Sequence, residues 1–192
     1  MTTAPTRLAS FVQYLGTLVA EPDEARLLPQ VAAALENLIA SDDWLPAAYA
    51  VPDPDRYTQY LLYRDPAARF SVVSFVWGPG QGTPIHDHTI WGAVGVLRGA
   101  ERSQRFAVSG NAPPQALGEP ETLAAGTVET VSPRVGDVHQ VVNAFTDAVT
   151  ISIHVYGADI GKVERHIFPP NGGARRFISG YANDALTPAF AI

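Results

Sequence analysis

Gly80-Gln81-Gly82-Thr83-Pro84-Ile85-His86-Asp87-His88-Thr89-Ile90-Trp91-Gly92 is the stretch on which the reading of this chain turns. It sets two imidazoles two residues apart, directly after a turn-rich run. On a strand, side chains at i and i+2 leave the same face, so His86 and His88 are placed to hold one metal ion from one side. Their neutral ring nitrogens are the ligating atoms, and a third ligand has to arrive from elsewhere. The candidate is His139, in Gly136-Asp137-Val138-His139-Gln140-Val141-Val142-Asn143. A single His-x-His is weak evidence, because histidines satisfied by ordinary hydrogen bonds are common. Two glycine-framed histidine segments, about fifty residues apart in a strand-rich region, are a stronger signal.

Around these segments the chain reads as short β-branched and aromatic runs broken by Gly, Pro and Asp. Expected strands are Tyr57 to Tyr63, Phe70 to Trp77, Ile90 to Leu97, Arg102 to Val108, Thr127 to Val131, Val138 to Asn143, Val149 to Tyr156 and Val163 to Phe168. Strands this short and this closely spaced favour a sandwich or barrel over a parallel sheet. The run from Ser109 to Pro120, with Gly110, Pro113, Pro114 and Gly118, reads as a surface loop.

Before the strands the periodicity is helical. Leu8, Phe11, Val12, Leu15, Leu18 and Val19 recur at helical spacing, which argues against a signal peptide despite the apolar texture. Leu27, Leu28, Val31, Leu35, Leu38 and Ile39 repeat the pattern, and Pro29 places the start of this second helix at about that residue. Ser41 to Asp55 reads as a connector.

With 192 residues and 46% hydrophobic content, the chain can bury one substantial core. The expectation is a single domain over 1–192: helices within 1–43, a barrel over 57–168 and a C-terminal extension over 169–192. The net charge of -6 comes from scattered acids, so neither nucleic acid nor an anionic membrane is an expected partner, and no obligate protein partner is implied. No apolar run approaches the ~20 residues that span a bilayer. The chain has no cysteine, which excludes disulfides and thiolate ligands and fits a cytoplasmic location.

A second constellation lies in Thr150-Ile151-Ser152-Ile153-His154-Val155-Tyr156. On one strand Ser152, His154 and Tyr156 share a face, while Ile151, Ile153 and Val155 pack on the other. Such a row can pass a hydrogen bond from hydroxyl to imidazole to phenol. It is not a hydrolase pair, since Ser152 and His154 project in parallel and no nucleophile elbow is present.

The two histidine segments resemble the paired motifs of the cupin superfamily. The first of those motifs is a glycine, five residues, His-x-His, three or four residues, Glu, six residues and a glycine. Gly80, His86, His88 and Gly99 fit, and Gly92 stands where the glutamate ligand would be. The second fits loosely through Gly126, Pro133, Gly136, His139 and Asn143. A cupin without its carboxylate resembles the thiol dioxygenases, the group containing cysteine dioxygenase and 3-mercaptopropionate dioxygenase. Ser152, His154 and Tyr156 are similar, in type and order, to the outer-sphere triad of that group.

The resemblance implies a mainly β, cupin-type barrel (a double-sheet jelly roll) preceded by two N-terminal α-helices. It implies Fe(II) on His86, His88 and His139, a small thiol and O2 as partners, and a sulfinate product. Neutral histidines leave iron(II) its full charge and open positions for thiolate and dioxygen. Animal-type cysteine dioxygenases carry Tyr-Thr-Arg where this chain has Tyr57-Thr58-Gln59. Gln59 cannot supply that arginine's fork-to-carboxylate contact, which points to the 3-mercaptopropionate branch, with Arg165 as the carboxylate ligand. Tyr156 is expected near the reacting atoms. His166, Asp87, Glu129 and Glu164 carry less weight: the first as a surface or core histidine, the second as structural, the acids as solvated strand residues. L-Cysteine as substrate, a three-histidine zinc hydrolase or lyase, and a non-catalytic binding module are the alternatives.

Overall fold

A computed structural model describes residues 4–183 of the chain. Helix α1 (Ala4–Leu18) and helix α2 (Glu24–Ile39) come first. Ten strands follow: β1 (Thr58–Arg64), β2 (Ser71–Trp77), β3 (Gly92–Arg98), β4 (Ala100–Ala107), β5 (Gln115–Ala124), β6 (Val128–Val131), β7 (His139–Asn143), β8 (Thr150–Tyr156), β9 (Arg165–Ile167) and β10 (Arg175–Phe177). They form a five-stranded sheet in the order β1-β2-β8-β3-β6, a three-stranded sheet β5-β4-β7 and the pair β10-β9, all antiparallel. Single bridges from Gly82 to Val142 and from His86 to both His139 and Ile167 stitch β7 to β9 through the first histidine segment. The result is the cupin-type double-sheet jelly roll preceded by two helices.

The five-stranded sheet is covered on both faces, which is why β2 and β8 are buried along their whole length. Its outer face, with Val72, Val76, Ile151, Ile153 and Val155, packs with Leu27, Val31, Leu35 and Ile39 of α2 and Leu8 and Leu15 of α1 in one apolar core. Gly95 of β3 lets α2 approach: a β-carbon there would lie 2.9 Å from Ile39 Cδ1 and 3.0 Å from Leu35 Cγ. The inner face turns Val73, Phe75, Trp77 and Tyr156 toward Val141 of β7. Among the described residues no helix is long and apolar enough to cross a membrane.

Three expectations need correction. Helix α2 begins at Glu24 and not at Pro29, because the Asp23 side chain caps it by accepting from the Ala25 amide at 3.1 Å. The run expected as a loop from Ser109 to Pro120 contributes to β5, an edge strand exposed on both faces at nearly every position, so no apolar alternation marks it. The first histidine pair is not on a regular strand but in a bridged segment before β3. The C-terminal extension includes β10, which sequence did not anticipate, and its residues 184–192 lie outside the described ones, as do residues 1–3 of the N-terminal helical region.

Candidate metal centre

The bridged segment and β7 bring His86, His88 and His139 together. His86 and His139 exchange both backbone hydrogen bonds at 3.0 Å, which locks one imidazole opposite the other. His88 is placed by Asp137, whose carboxylate accepts from the backbone amides of His88 (3.0 Å) and Thr89 (2.9 Å). This clamp holds Thr89 at φ 60, a left-handed conformation that threonine rarely adopts. The three rings are 4.9 to 5.0 Å apart between centroids, and one nitrogen of each lies within 4.8 Å of the others. All three residues are buried.

The partners of the remaining nitrogens settle which atoms are free. His86 Nδ1 donates to the Pro84 carbonyl at 3.0 Å, and His88 Nδ1 donates to Asp137 at 3.1 Å. His139 Nδ1 faces Ser103 Oγ at 3.4 Å and Glu129 Oε2 at 3.8 Å. Each Nε2 is therefore left with its lone pair facing the shared space, the tautomer a ligating imidazole needs. Burial, then the neighbouring imidazoles, hold His86 well below the ordinary histidine range, and burial lowers His88 against the opposing pull of Asp137. Glu129 is thus no solvated acid: it sits behind His139, bonded to Ser103 (3.0 Å) and Arg105 (2.8 Å). Burial pushes its carboxyl up, and His139, Arg105 and Ser103 together outweigh that and hold it low.

The row on β8 forms a continuous chain of contacts. Ser152 Oγ is 2.7 Å from His154 Nε2, and His154 Nδ1 is 2.8 Å from the Tyr156 hydroxyl. Trp77 extends it, donating from Nε1 to Ser152 Oγ at 3.1 Å. His154 stacks on Phe75 at 3.9 Å between centroids, and Tyr156 lies over His88 at 5.7 Å, so the row ends against the histidine cluster. Gly92 makes this possible, because a β-carbon there would lie 2.8 Å from Tyr156 Cδ1. The position that lacks the cupin glutamate is the one over which the tyrosine ring is laid.

Gln59 and Arg165 line the same pocket as the three histidines and Tyr156. Arg165 is buried, not an exposed strand residue, with Nη2 donating to Ser179 Oγ at 2.6 Å and its guanidinium 4.6 Å from the Phe177 ring centroid. It forms no ion pair among the described residues, and its Nε and the Gln59 Oε1 lack hydrogen-bond partners. His166 stays outside the cluster, with Nδ1 2.8 Å from Asp87 Oδ2. Asp87 points away from the centre and ties β9 to the histidine segment. Sequence reading missed Asp137, for which the signal was a Gly-Asp step just before the third histidine, and also Ser103.

A family model described as cysteine dioxygenase type I matches residues 2–166. The chain belongs to that family. Cysteine dioxygenase type I membership brings a thiol dioxygenase activity, with a small molecule and O2 as its partners, on this cupin scaffold. Among solved structures, the chain is similar to a conserved protein with a double-stranded β-helix domain from Klebsiella pneumoniae subsp. pneumoniae MGH 78578, at 20% identity over 71% of this chain and 96% of that one, TM-score 0.47. It is also similar to a cupin superfamily protein from Desulfitobacterium hafniense DCB-2, at 12% identity over 62% and 94%, TM-score 0.46.

Proposed function

We propose that this cysteine dioxygenase type I family member is an iron(II) thiol dioxygenase that converts 3-mercaptopropionate and O2 to the sulfinate. The observation that carries the substrate assignment is an unpaired, buried Arg165 guanidinium in the pocket that also holds the three imidazoles. Three imidazoles with free Nε2 atoms, each anchored through Nδ1, fit a divalent iron, and His86, His88 and His139 would hold it. Once bound, iron(II) supplies the cationic centre that favours thiolate and the electrons that dioxygen requires.

The protein's own side chains supply position and charge. Arg165 offers a carboxylate two parallel N–H donors from a buried position on the pocket wall, and Phe177 and Ser179 fix the plane of the fork. Gln59 is neutral and leaves the carboxylate to Arg165. Among the described residues, Asp53, on the 51–56 stretch, is the one carboxylate lining the pocket, and Glu129 and Asp137 stand behind the imidazoles, so an amino acid's ammonium finds no carboxylate on the pocket wall beside the three histidines. The Tyr156 hydroxyl, oriented through His154, faces the reacting atoms.

Steady-state assays of iron-loaded protein, counting sulfinate from 3-mercaptopropionate and from L-cysteine, test the proposal. The expected result is higher kcat/KM for 3-mercaptopropionate and a loss in Arg165→Ala of about thirtyfold or more, mainly in KM. A preference for L-cysteine would overturn the substrate assignment, and no sulfinate from either thiol would overturn the dioxygenase reading.

A further inference from the structure

Beneath the relay sits an acid that the mechanism above does not use. Strand β4 sends Glu101 and Ser103 into the barrel as an i, i+2 pair, Ser103 toward His139 and Glu101 to the floor below Ser152. Glu101 is fully buried, forms no ion pair among the described residues, and neither carboxyl oxygen has a hydrogen-bond partner at the distances of this structure. A carboxyl so placed is costly unless something nearby can exchange a proton or hydrogen bond with it. The donors that bear on it are Ser152 and Trp77, the inner end of the relay.

We propose that Glu101 is a positioning residue that sets the direction of the hydrogen bonds through Ser152, His154 and Tyr156 and stores the proton a thiol substrate loses on becoming thiolate. The proposal rests on the thiol dioxygenase reading and deepens it. Trp77 Nε1 can only donate, so the Ser152 oxygen accepts there, and the remaining bonds have two complete arrangements. With Glu101 as carboxylate, Ser152 donates to it, His154 carries its hydrogen on Nε2 and donates to Ser152, and Nδ1 accepts from the Tyr156 hydroxyl. Tyr156 then shows the pocket only lone pairs. With Glu101 as acid, it donates to Ser152, Ser152 donates to Nε2, Nδ1–H donates to the Tyr156 oxygen, and the phenol proton points into the pocket. Every donor and acceptor of Ser152 is used in both arrangements, and they differ by one proton.

A thiol entering the carboxylate form supplies that proton. Its S–H bond breaks and an O–H bond forms on Tyr156, the old phenol proton passes to Nδ1, the Nε2 proton to Ser152 and the Ser152 proton to Glu101. Sulfur keeps the electron pair, no electrons change hands, and Tyr156 is left as a donor facing the thiolate. The reverse shift returns the proton to water after sulfinate leaves, which balances thiol plus O2 against sulfinate plus one proton. Burial pushes Glu101 up to about 7, with the nearby Glu129 adding to the rise and Ser152 and Trp77 opposing it, which poises the exchange near neutrality. The groups facing it are Glu129 on β6, Ser152 on β8, Trp77 on β2 and Asn143, its partner on β7, and its charge also bears on Tyr156 at the far end of the β8 row.

Nitrogen-15 NMR of the His154 ring in the full-length chain, metal-free and zinc-loaded, reads the two arrangements without turnover, with a His154→Asn sample for assignment. In the native protein, raising the pH from about 6 to about 8 should move the ring hydrogen from Nδ1 to Nε2, and Glu101→Met should hold it on Nδ1 throughout. In the iron-loaded enzyme Glu101→Met should lower kcat about tenfold with little change in KM, and its rate should lack the inflection near neutrality. Should the Met variant fail to fold, Glu101→Gln keeps the shape, cannot take a proton and should likewise abolish the switch. An unchanged tautomer across this range in the native chain, or a variant with the native pH profile, overturns the proposal. Failure of sulfinate formation in the native enzyme overturns the dioxygenase reading and leaves the ring signal to judge the relay.

Discussion

Glu101→Gln converts the buried acid into a group that cannot ionise, and the consequence for stability follows from the same burial. Raising a carboxyl from 4.5 to about 7 means that the folded state holds the proton more tightly than the unfolded chain does. Below 4.5 both states are protonated and nothing is lost. As the pH rises toward 7 the unfolded chain ionises and gains, and above 7 the full penalty of about 3 kcal/mol stands, at about 1.4 kcal/mol per tenfold change in proton affinity. The glutamine variant escapes this penalty. Urea unfolding of both metal-free proteins, followed by tryptophan fluorescence at matched ionic strength, should show the variant gaining on the native protein by about 3 kcal/mol between about pH 4 and about pH 8 with little change in m. The other titrating groups are common to both chains, so the difference isolates Glu101. A stability difference that stays constant across that range would mean that the carboxyl ionises as it does in water, and the argument from burial would fail.

His139→Ala should fold and lose most bound iron, measured as metal per chain in freshly purified protein, because the apolar cores do not depend on the metal. Tyr156→Phe should retain iron yet consume O2 without matching sulfinate, through loss of one hydrogen bond worth about 1–3 kcal/mol in a dry site. Gly92→Ala should produce the same uncoupling with the phenol still present, since its β-carbon would lie 2.8 Å from Tyr156 Cδ1 and force the ring aside. In metal-free protein, burial holds His86, His88 and His154 below the ordinary 6.5, so their contribution to stability should be full above that value and fall as the pH drops below it, measurable by chemical denaturation in the Glu101→Gln background, where the opposing carboxyl effect is absent.

The parts of this molecule that were legible in sequence are those where one residue type carries the chemistry or one face meets an apolar core. Two glycine-framed histidine segments announced the cluster because few other arrangements need them. The β8 row was legible because Ile151, Ile153 and Val155 bury one face against the helical core, leaving Ser152, His154 and Tyr156 on the other as a visible alternation. Eight of the ten strands emerged from the same kind of pattern. The edge strand β5 did not, because water on both faces removes the contrast that the pattern depends on.

Glu101 was hidden for the opposite reason. In Glu101-Arg102-Ser103 the folded strand buries the first and third residues and exposes the second, yet all three are polar, so hydrophobicity cannot tell inward from outward. A barrel whose interior holds three clustered imidazoles and a hydrogen-bonded row needs polar side chains on its inner face, and there the rule that locates cores ceases to locate anything. Asp137 and Glu129 escaped similarly, as acids whose work is to orient an imidazole from across the fold. Their partners lie about ten to fifty positions away in sequence, and only the closing of the two sheets brings them into contact. The identity of the clustered imidazoles is therefore written locally, while their orientation and the placing of the buried acids around them are written in the register of β4, β6 and β7.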